Sequence, residues 1–195
     1  IAEPGHVILA ADYSQIELRI LAHLSRDEAL LEAYRTGADV HRQTASALFG
    51  VPVEEVDREM RARAKTVNFA VIYGQTEFAL ARNLKIERSE ARRYIEAFFT
   101  RYQGVARYMD EAVEEARRRG YAETILERRR NIPDLHSENR NLRAAAGRIA
   151  RNTPIQGSAA DIIKRAMVDL HEAMRRARYE SRILLTVHDE LVFEI

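Results

Sequence analysis

A short unbroken apolar run, Val7-Ile8-Leu9-Ala10-Ala11, comes first along the chain. From Ile16 the apolar positions switch to helical spacing, through Leu18, Leu21, Ala22 and Leu24. The run predicts a buried strand and the spacing a helix directly after it. Leu30, Leu31 and Tyr34 predict a further short helix ending near Gly37. Residues 40–49 predict a third, stopped by Gly50 and Pro52. Asp57 predicts the cap of a longer helix that runs to Tyr73, with Gly74 as its stop. Residues 89–101 and 105–119 read as two amphipathic helices, the second closed by Gly120. Residues 121–126 predict a strand, and residues 128–141, with Pro133, Asp134, Ser137 and Asn139, a loop. Residues 142–152 and 159–178 predict two helices separated by Thr153-Pro154-Ile155-Gln156-Gly157-Ser158. Alternating apolar runs over 182–187 and 190–195, around His188-Asp189, predict a closing hairpin. The expected fold class is α+β and mostly helical, with three or four strands near the ends of the chain forming a small antiparallel sheet.

The helix beginning at Asp57 carries the most information. At about 100° per residue, Met60, Ala64, Val67 and Val71 fall on one narrow apolar stripe. Arg61, Lys65, Phe69 and Tyr73 lie roughly opposite, each four residues after the last, and wind along a ridge about 18 Å long. Cations come first, near the helix amino end where the dipole favours anions, and aromatics come last. A ligand with phosphates at one end and a flat base at the other fits that order. A solvated basic turn followed by two packed aromatics fits it equally.

Composition narrows the field little. The chain has 195 residues, 46% of them hydrophobic, which allows a packed core. The net charge of +1 does not by itself announce a nucleic-acid partner, yet basic residues cluster at Arg61, Arg63 and Lys65 and at Arg128, Arg129 and Arg130. Lysine is confined to Lys65, Lys85 and Lys164, so arginine carries almost all the positive charge. With no cysteine there is neither a disulfide framework nor a thiolate metal site. No apolar run reaches the roughly 18 residues that a membrane span needs, so no membrane association is expected. The chain starts at Ile1 and stops inside an alternating strand pattern at Ile195, as expected of an internal fragment.

Two aspartates stand at the ends of predicted strands. Asp12 follows the first apolar run and Asp189 sits at the tip of the hairpin. Taken singly, Asp12 reads as a helix cap and Asp189 as a turn residue. Taken together, two carboxylates on strand ends of one sheet make a rigid pair of hard oxygen ligands, the donor type Mg²⁺ prefers. Two such ions serve in-line phosphoryl displacement.

These stretches also resemble a known family. "DYSQIELR", "RARAKTVNFAVIYG" and "VHDEL" are similar to the three polymerase motifs of the bacterial DNA polymerase I family, family A. "DVHRQTASALFGV", "RRRNIPDL" and "NTPIQGSAADIIKRAM" read as the family's connecting sequence. The resemblance spans essentially the whole chain. It implies a helical fingers subdomain inserted in a partial palm: palm over residues 1–25, fingers over 26–120 with a nucleotide-binding helix at 58–73, and a return to the palm over 121–195 with the closing hairpin at 182–195. It implies DNA-templated DNA synthesis, with Asp12, Asp189 and Lys65 as catalytic residues. Asp12, Asp189 and the Tyr13 carbonyl would bind two Mg²⁺ ions. Arg61, Lys65 and His41 would meet the triphosphate of a dNTP, Phe69 would pack on its base and sugar, and Tyr73 would stack at the template position and leave when the fingers close. Gln15 and Glu17 would lie at the same nucleotide, with Glu17 crowding the sugar 2′ position. Asn152, Gln156, His188 and Arg128 would touch primer–template DNA. The family further implies a full-length enzyme that is monomeric and cytoplasmic in a bacterium or phage-infected cell; organellar enzymes share the motifs. Glu127 departs from the family's usual Gly before the arginine triplet, and Asn131 from its usual aromatic. A single-subunit RNA polymerase shares the palm chemistry but needs room at the 2′ position that Glu17 would fill. A non-catalytic DNA-binding remnant is the other alternative, set against intact Asp12, Lys65 and Asp189.

Overall fold

The computed structural model describes residues 2–195. It is α+β and mostly helical, as expected. The apolar run becomes strand β1 (Ile8–Asp12), followed by helices α1 (Ile16–Ser25), α2 (Glu28–Arg35) and α3 (Val40–Phe49). Next come α4 (Arg58–Ile72), α5 (Glu77–Leu84), α6 (Arg88–Arg101) and α7 (Gln103–Arg119). A small hairpin, β2 (Tyr121–Glu123) and β3 (Arg129–Asn131), leads into the long α8 (Arg140–Ala177), and β4 (Arg182–Val187) with β5 (Glu190–Glu194) closes the chain.

Local chemistry sets these boundaries. The Asp57 carboxylate accepts from the Met60 amide and starts α4, and Tyr73 ends it with its own amide on the Phe69 carbonyl. Asp27 and Asp39 cap α2 and α3 in the same way. Ala64, Val67 and Val71 are buried, so the predicted apolar stripe of α4 does face the core. That leaves the Arg61–Tyr73 ridge turned the other way.

Three expectations are corrected. The strand of residues 7–11 is exposed along its length. It lies at the edge of a three-stranded antiparallel sheet ordered β1-β5-β4. Leu191 and Phe193 of β5 share a core cluster with Ile155, Ala159 and Ile163 of α8, whereas Ile8 and Leu9 stay open. An apolar run wants a layer on both faces, and this sheet has one. Second, residues 142–178 are not two helices. Helix α8 runs through Pro154 and Gly157 without a break. A proline inside a helix costs about 3 kcal/mol, and burial of Ala150, Ile155, Ala159 and Ile163 around it offsets that. Third, the expected loop of residues 128–141 holds β3 and a 3₁₀ turn over Pro133–His136. Sequence patterning also missed α5. The β2–β3 hairpin is a second, separate sheet formed by the middle of the chain rather than near its ends.

Candidate active site

The two strand-end aspartates meet. Strand β1 runs antiparallel to β5 with Asp12 opposite Glu190, and Asp189 leads directly into β5. The Tyr13 amide donates to the Asp189 carbonyl at 3.1 Å, which ties the end of β1 to the hairpin tip. The plainer reading of Asp12 fails, because the residue before α1 is Gln15, in left-handed backbone, and no side chain caps that helix. At the hairpin tip the positive φ falls on His188, at 57°, rather than on Asp189. In this two-residue loop the histidine, and not the aspartate, therefore occupies the positive-φ position.

One cavity of about 670 Å³ gathers the rest. Asp12 and Asp189 line it with Gln15 and Glu17, and with Gln156 and His188. Arg61, Lys65, Phe69 and Tyr73 of α4 line it as well, with His41 near the two cations. Ser14, Ile16, Ala159, Ala160 and Ile163 complete the lining; as small or apolar residues, they carry no signal in sequence. Tyr13, Asn152 and Arg128 lie outside the cavity. The Tyr13 carbonyl accepts from the Ile16 amide at 3.2 Å, and its second lone pair remains. The Asn152 amide nitrogen donates to the Tyr73 carbonyl at 3.3 Å, joining α8 to the end of α4.

Several site side chains are held by partners that sequence patterning did not single out. Arg61 Nε donates to Asp39 Oδ2 at 2.7 Å, while Asp39 Oδ1 caps α3 through the His41 and Arg42 amides. Partial burial raises the Asp39 carboxyl, but the Arg61 guanidinium and these two amides more than offset it and hold the group below the ordinary carboxylate value. The cap signal Asp39-Val40 was legible in sequence; its grip on Arg61 was not. His41 is buried, with Nδ1 at 2.8 Å from the Asn68 amide nitrogen. Burial, with Arg61 and Lys65 adding and Asp39 opposing, pushes its imidazole down to about 4. The Tyr73 hydroxyl donates to Glu17 Oε2 at 2.9 Å. Burial raises the Glu17 carboxyl, the Tyr73 hydrogen bond lowers it, and the charge of Asp189 raises it again, leaving it above the ordinary value. Tyr73 is pushed up to about 12, first by burial and then by the Glu17 charge. Its ring stacks on Phe69 with centroids 6.2 Å apart and planes at 28°.

Arg128 is pinned. Its Nε donates to Asp161 Oδ1 at 2.7 Å and its Nη2 to the Gly157 carbonyl at 3.1 Å. The Thr124 hydroxyl donates to the other Asp161 oxygen, and the Ile125 amide to the Ser158 hydroxyl. These bonds stitch the β2–β3 hairpin onto the middle of α8. Glu127 adopts φ 62° in the hairpin loop, so the chain keeps there the left-handed backbone that suits glycine.

Among the described residues no three His, Asp or Glu side chains gather as a ready-made metal cage. A pair of carboxylates is nonetheless what Mg²⁺ takes from a protein when water and substrate phosphate supply its other ligands.

A family model for DNA polymerase family A matches residues 1–195. The chain is 53% identical over 193 residues to DNA polymerase I of Geobacillus stearothermophilus, an alignment covering 99% of this chain and 22% of that protein. It is 49% identical over 195 residues to DNA polymerase I of Pseudomonas aeruginosa, covering 100% of this chain and 21% of that one. Among solved structures it is similar to the POL domain of Pol1 from M. smegmatis in complex with DNA primer-template and dNTP. That match has a TM-score of 0.94 and 49% identity, and covers all of this chain and 35% of the other. The chain thus spans about a fifth of the length of these curated relatives.

Proposed function

The chain belongs to DNA polymerase family A, and on that footing we propose that its cavity is the nucleotide-addition site of a DNA-templated DNA polymerase. One observation carries the reading: a single cavity is lined both by Asp12 and Asp189 and by the Arg61–Lys65–Phe69–Tyr73 ridge. Residues 1–25 and 121–195 serve as palm and residues 26–120 as fingers.

The primer 3′-hydroxyl attacks the α-phosphorus of a dNTP; one P–O bond forms, the bond to the β-phosphate oxygen breaks, and pyrophosphate leaves. Arg61 and Lys65 bind the triphosphate and neutralise charge that builds on it. Lys65 also supplies a proton to the leaving group. Phe69 holds the base and sugar so that the α-phosphorus sits in line with the hydroxyl, and Tyr73 stacks at the template position until the nucleotide is bound. Asp12 and Asp189, with the Tyr13 carbonyl, would hold two Mg²⁺ ions, which supply charge neutralisation at the attacking and leaving oxygens. Gln156, His188, Asn152 and Arg128 face primer–template DNA, the partner bound by the M. smegmatis relative. For Arg128 the bonds to Asp161 and Gly157 make positioning of the hairpin the larger part of that role. No helix among the described residues is long and apolar enough to cross a membrane.

The competing RNA polymerase reading loses ground at Glu17. Its carboxylate lines the cavity, anchored by Tyr73, where a ribose 2′-hydroxyl would need space. The experiment is Asp189→Ala in a full-length polymerase carrying this sequence. Primer extension is expected to vanish while primer–template affinity stays close to wild type. Retained extension would remove Asp189 from the chemistry and the two-metal mechanism with it.

A further inference from the structure

Asn68 is a polar side chain in a helix interior. It lies on α4 between Val67 and Phe69 and is fully buried. Its amide nitrogen meets His41 Nδ1 at 2.8 Å, and its carbonyl oxygen, also buried, has no partner among the described residues. A buried acceptor left unpaired costs about 1–3 kcal/mol. A leucine would fill the same space without that cost, so stability does not account for the amide. What the amide does have is one specific contact, and that contact is to the one imidazole that lines the cationic end of the cavity.

The chemistry of the contact is directional. An amide NH₂ only donates. The ring nitrogen facing it must therefore be the unprotonated one, and the single proton of the neutral imidazole sits on Nε2. With Nδ1 turned to Asn68, Nε2 is the nitrogen left for the cavity. We infer that Asn68 is a positioning residue for the nucleotide site: it fixes His41 in the Nε2–H form, so that the imidazole presents an N–H donor, and not a lone pair, to a triphosphate oxygen. The charged groups facing the ring are Asp39 at the start of its own helix and Arg61 and Lys65 on α4. The two cations oppose a third charge there, so the ring contributes a hydrogen bond without protonation. The Phe69 ring, with its centroid 6.3 Å away, flanks the imidazole from the same helix.

The inference rests on the nucleotide reading of the cavity, and the test separates the two. The first measurement is on wild-type full-length polymerase with ¹⁵N-labelled histidine. Long-range ¹H–¹⁵N correlation, with the His41 signals assigned by their loss in His41→Gln, should show a pyridine-type Nδ1 and a pyrrole-type Nε2. A protonated Nδ1 overturns the inference whatever the enzyme's activity. The second measurement is dNTP-dependent primer extension across the pH range of imidazole titration. Wild type should show no imidazole step in the dNTP KM. Asn68→Leu should raise that KM about tenfold, the order expected for losing the aim of one hydrogen bond to a charged group, while kcat and primer–template affinity change little. Asn68→Asp replaces the donor by an acceptor, which stabilises the imidazolium and, once the ring is neutral, leaves the proton on Nδ1. Its KM should therefore climb as pH rises through the imidazole range. An Asn68→Asp profile as flat as wild type, or Asn68→Leu with an unchanged KM, overturns the role of Asn68 and leaves the polymerase reading intact. A wild-type enzyme that extends no primer overturns both.

Discussion

The Tyr73 hydroxyl donates to Glu17 Oε2 across 2.9 Å, and this bond joins the far end of α4 to α1, the helix that follows Asp12. On spacing alone, Glu17 is an acid in the first turn of a helix, where the dipole suffices to explain it. In the fold its carboxylate is turned into the cavity and anchored there. Under the proposed function it excludes a ribose 2′-hydroxyl by bulk. Glu17→Ala should therefore raise ribonucleotide incorporation relative to deoxynucleotide, with extension retained, in competitive primer extension on one template. An unchanged ratio would return Glu17 to a helix-start role and revive the RNA polymerase alternative.

The same carboxylate gives a pH-dependent stability. Its folded-state value lies above the ordinary one, chiefly through burial. The folded state therefore holds the proton more tightly than the unfolded chain does. The ionised form costs stability, and the cost develops as pH rises from the ordinary carboxylate value through the raised one. Glu17→Gln removes that cost. The variant should melt at a higher temperature than wild type at neutral pH, with the gap closing as pH falls below the carboxylate range. A gap that is constant with pH would show that the gain comes from packing and not from the charge.

Lys65 tests the phosphate end of the ridge. It points its charge at the same cavity as Arg61 but is not tied to Asp39 as Arg61 is. Lys65→Ala should weaken dNTP use by roughly tenfold to a hundredfold, the equivalent of about 1.5–3 kcal/mol for a charge-assisted contact. Primer–template affinity should change far less. A defect confined to DNA binding would move Lys65 to the template strand.

How much of this was legible in sequence varies by element. The α4 ridge was read from residue spacing because a single long helix has one period, and caps at Asp57 and Gly74 mark its ends. Asp12 and Asp189 were visible as strand-end acids, but their meeting depends on the β1–β5 register, a long-range pairing that no local pattern encodes. The exposed face of β1 was misread because an apolar run reports what a strand tolerates, not what covers it. The break expected at Pro154 was misread because tertiary burial along α8 overrides local propensity. Asp39 and Asn68 were missed as supports because each contacts a residue at least 20 positions away.

The hairpin that is stitched to α8 depends on a missing side chain. A Cβ on Gly157 would lie 2.6 Å from Thr124 Cγ2. Thr124 is buried and its hydroxyl is committed to Asp161, so it cannot rotate away without losing that bond. Gly157→Ala should destabilise by about 1–3 kcal/mol in denaturant unfolding. Thr124→Ser removes the clashing methyl and keeps the hydroxyl. In a double-mutant cycle, Gly157→Ala with Thr124→Ser should recover most of the loss. Simple additivity of the two changes would place the strain elsewhere in α8.

Glu127 offers the converse case, a side chain where none is wanted. The Glu127 amide donates to the Thr124 carbonyl at 2.9 Å, and the Thr124 amide to the Arg128 carbonyl at 3.0 Å. Residues 124–127 thus form a turn whose last residue sits at φ 62°, the left-handed position that usually carries glycine in such loops. A non-glycine residue there costs about 1–2 kcal/mol. Glycine loses about 0.5–1 kcal/mol more backbone entropy on folding. The difference leaves Glu127→Gly more stable by about 0.5–1 kcal/mol, provided the glutamate carboxylate contributes little from its exposed place. Glu127→Ala separates the two effects, because it removes the charge and keeps the Cβ. Equilibrium denaturation should find Glu127→Ala close to wild type and Glu127→Gly above both. If alanine stabilised as much as glycine, the cause would be repulsion of the glutamate charge, and the backbone at this loop would carry no strain. Primer–template affinity measured on the same variants then reports on geometry. A hairpin held in place by Asp161 and Ser158 should keep its arginines where they were, so Glu127→Gly should bind DNA as wild type does.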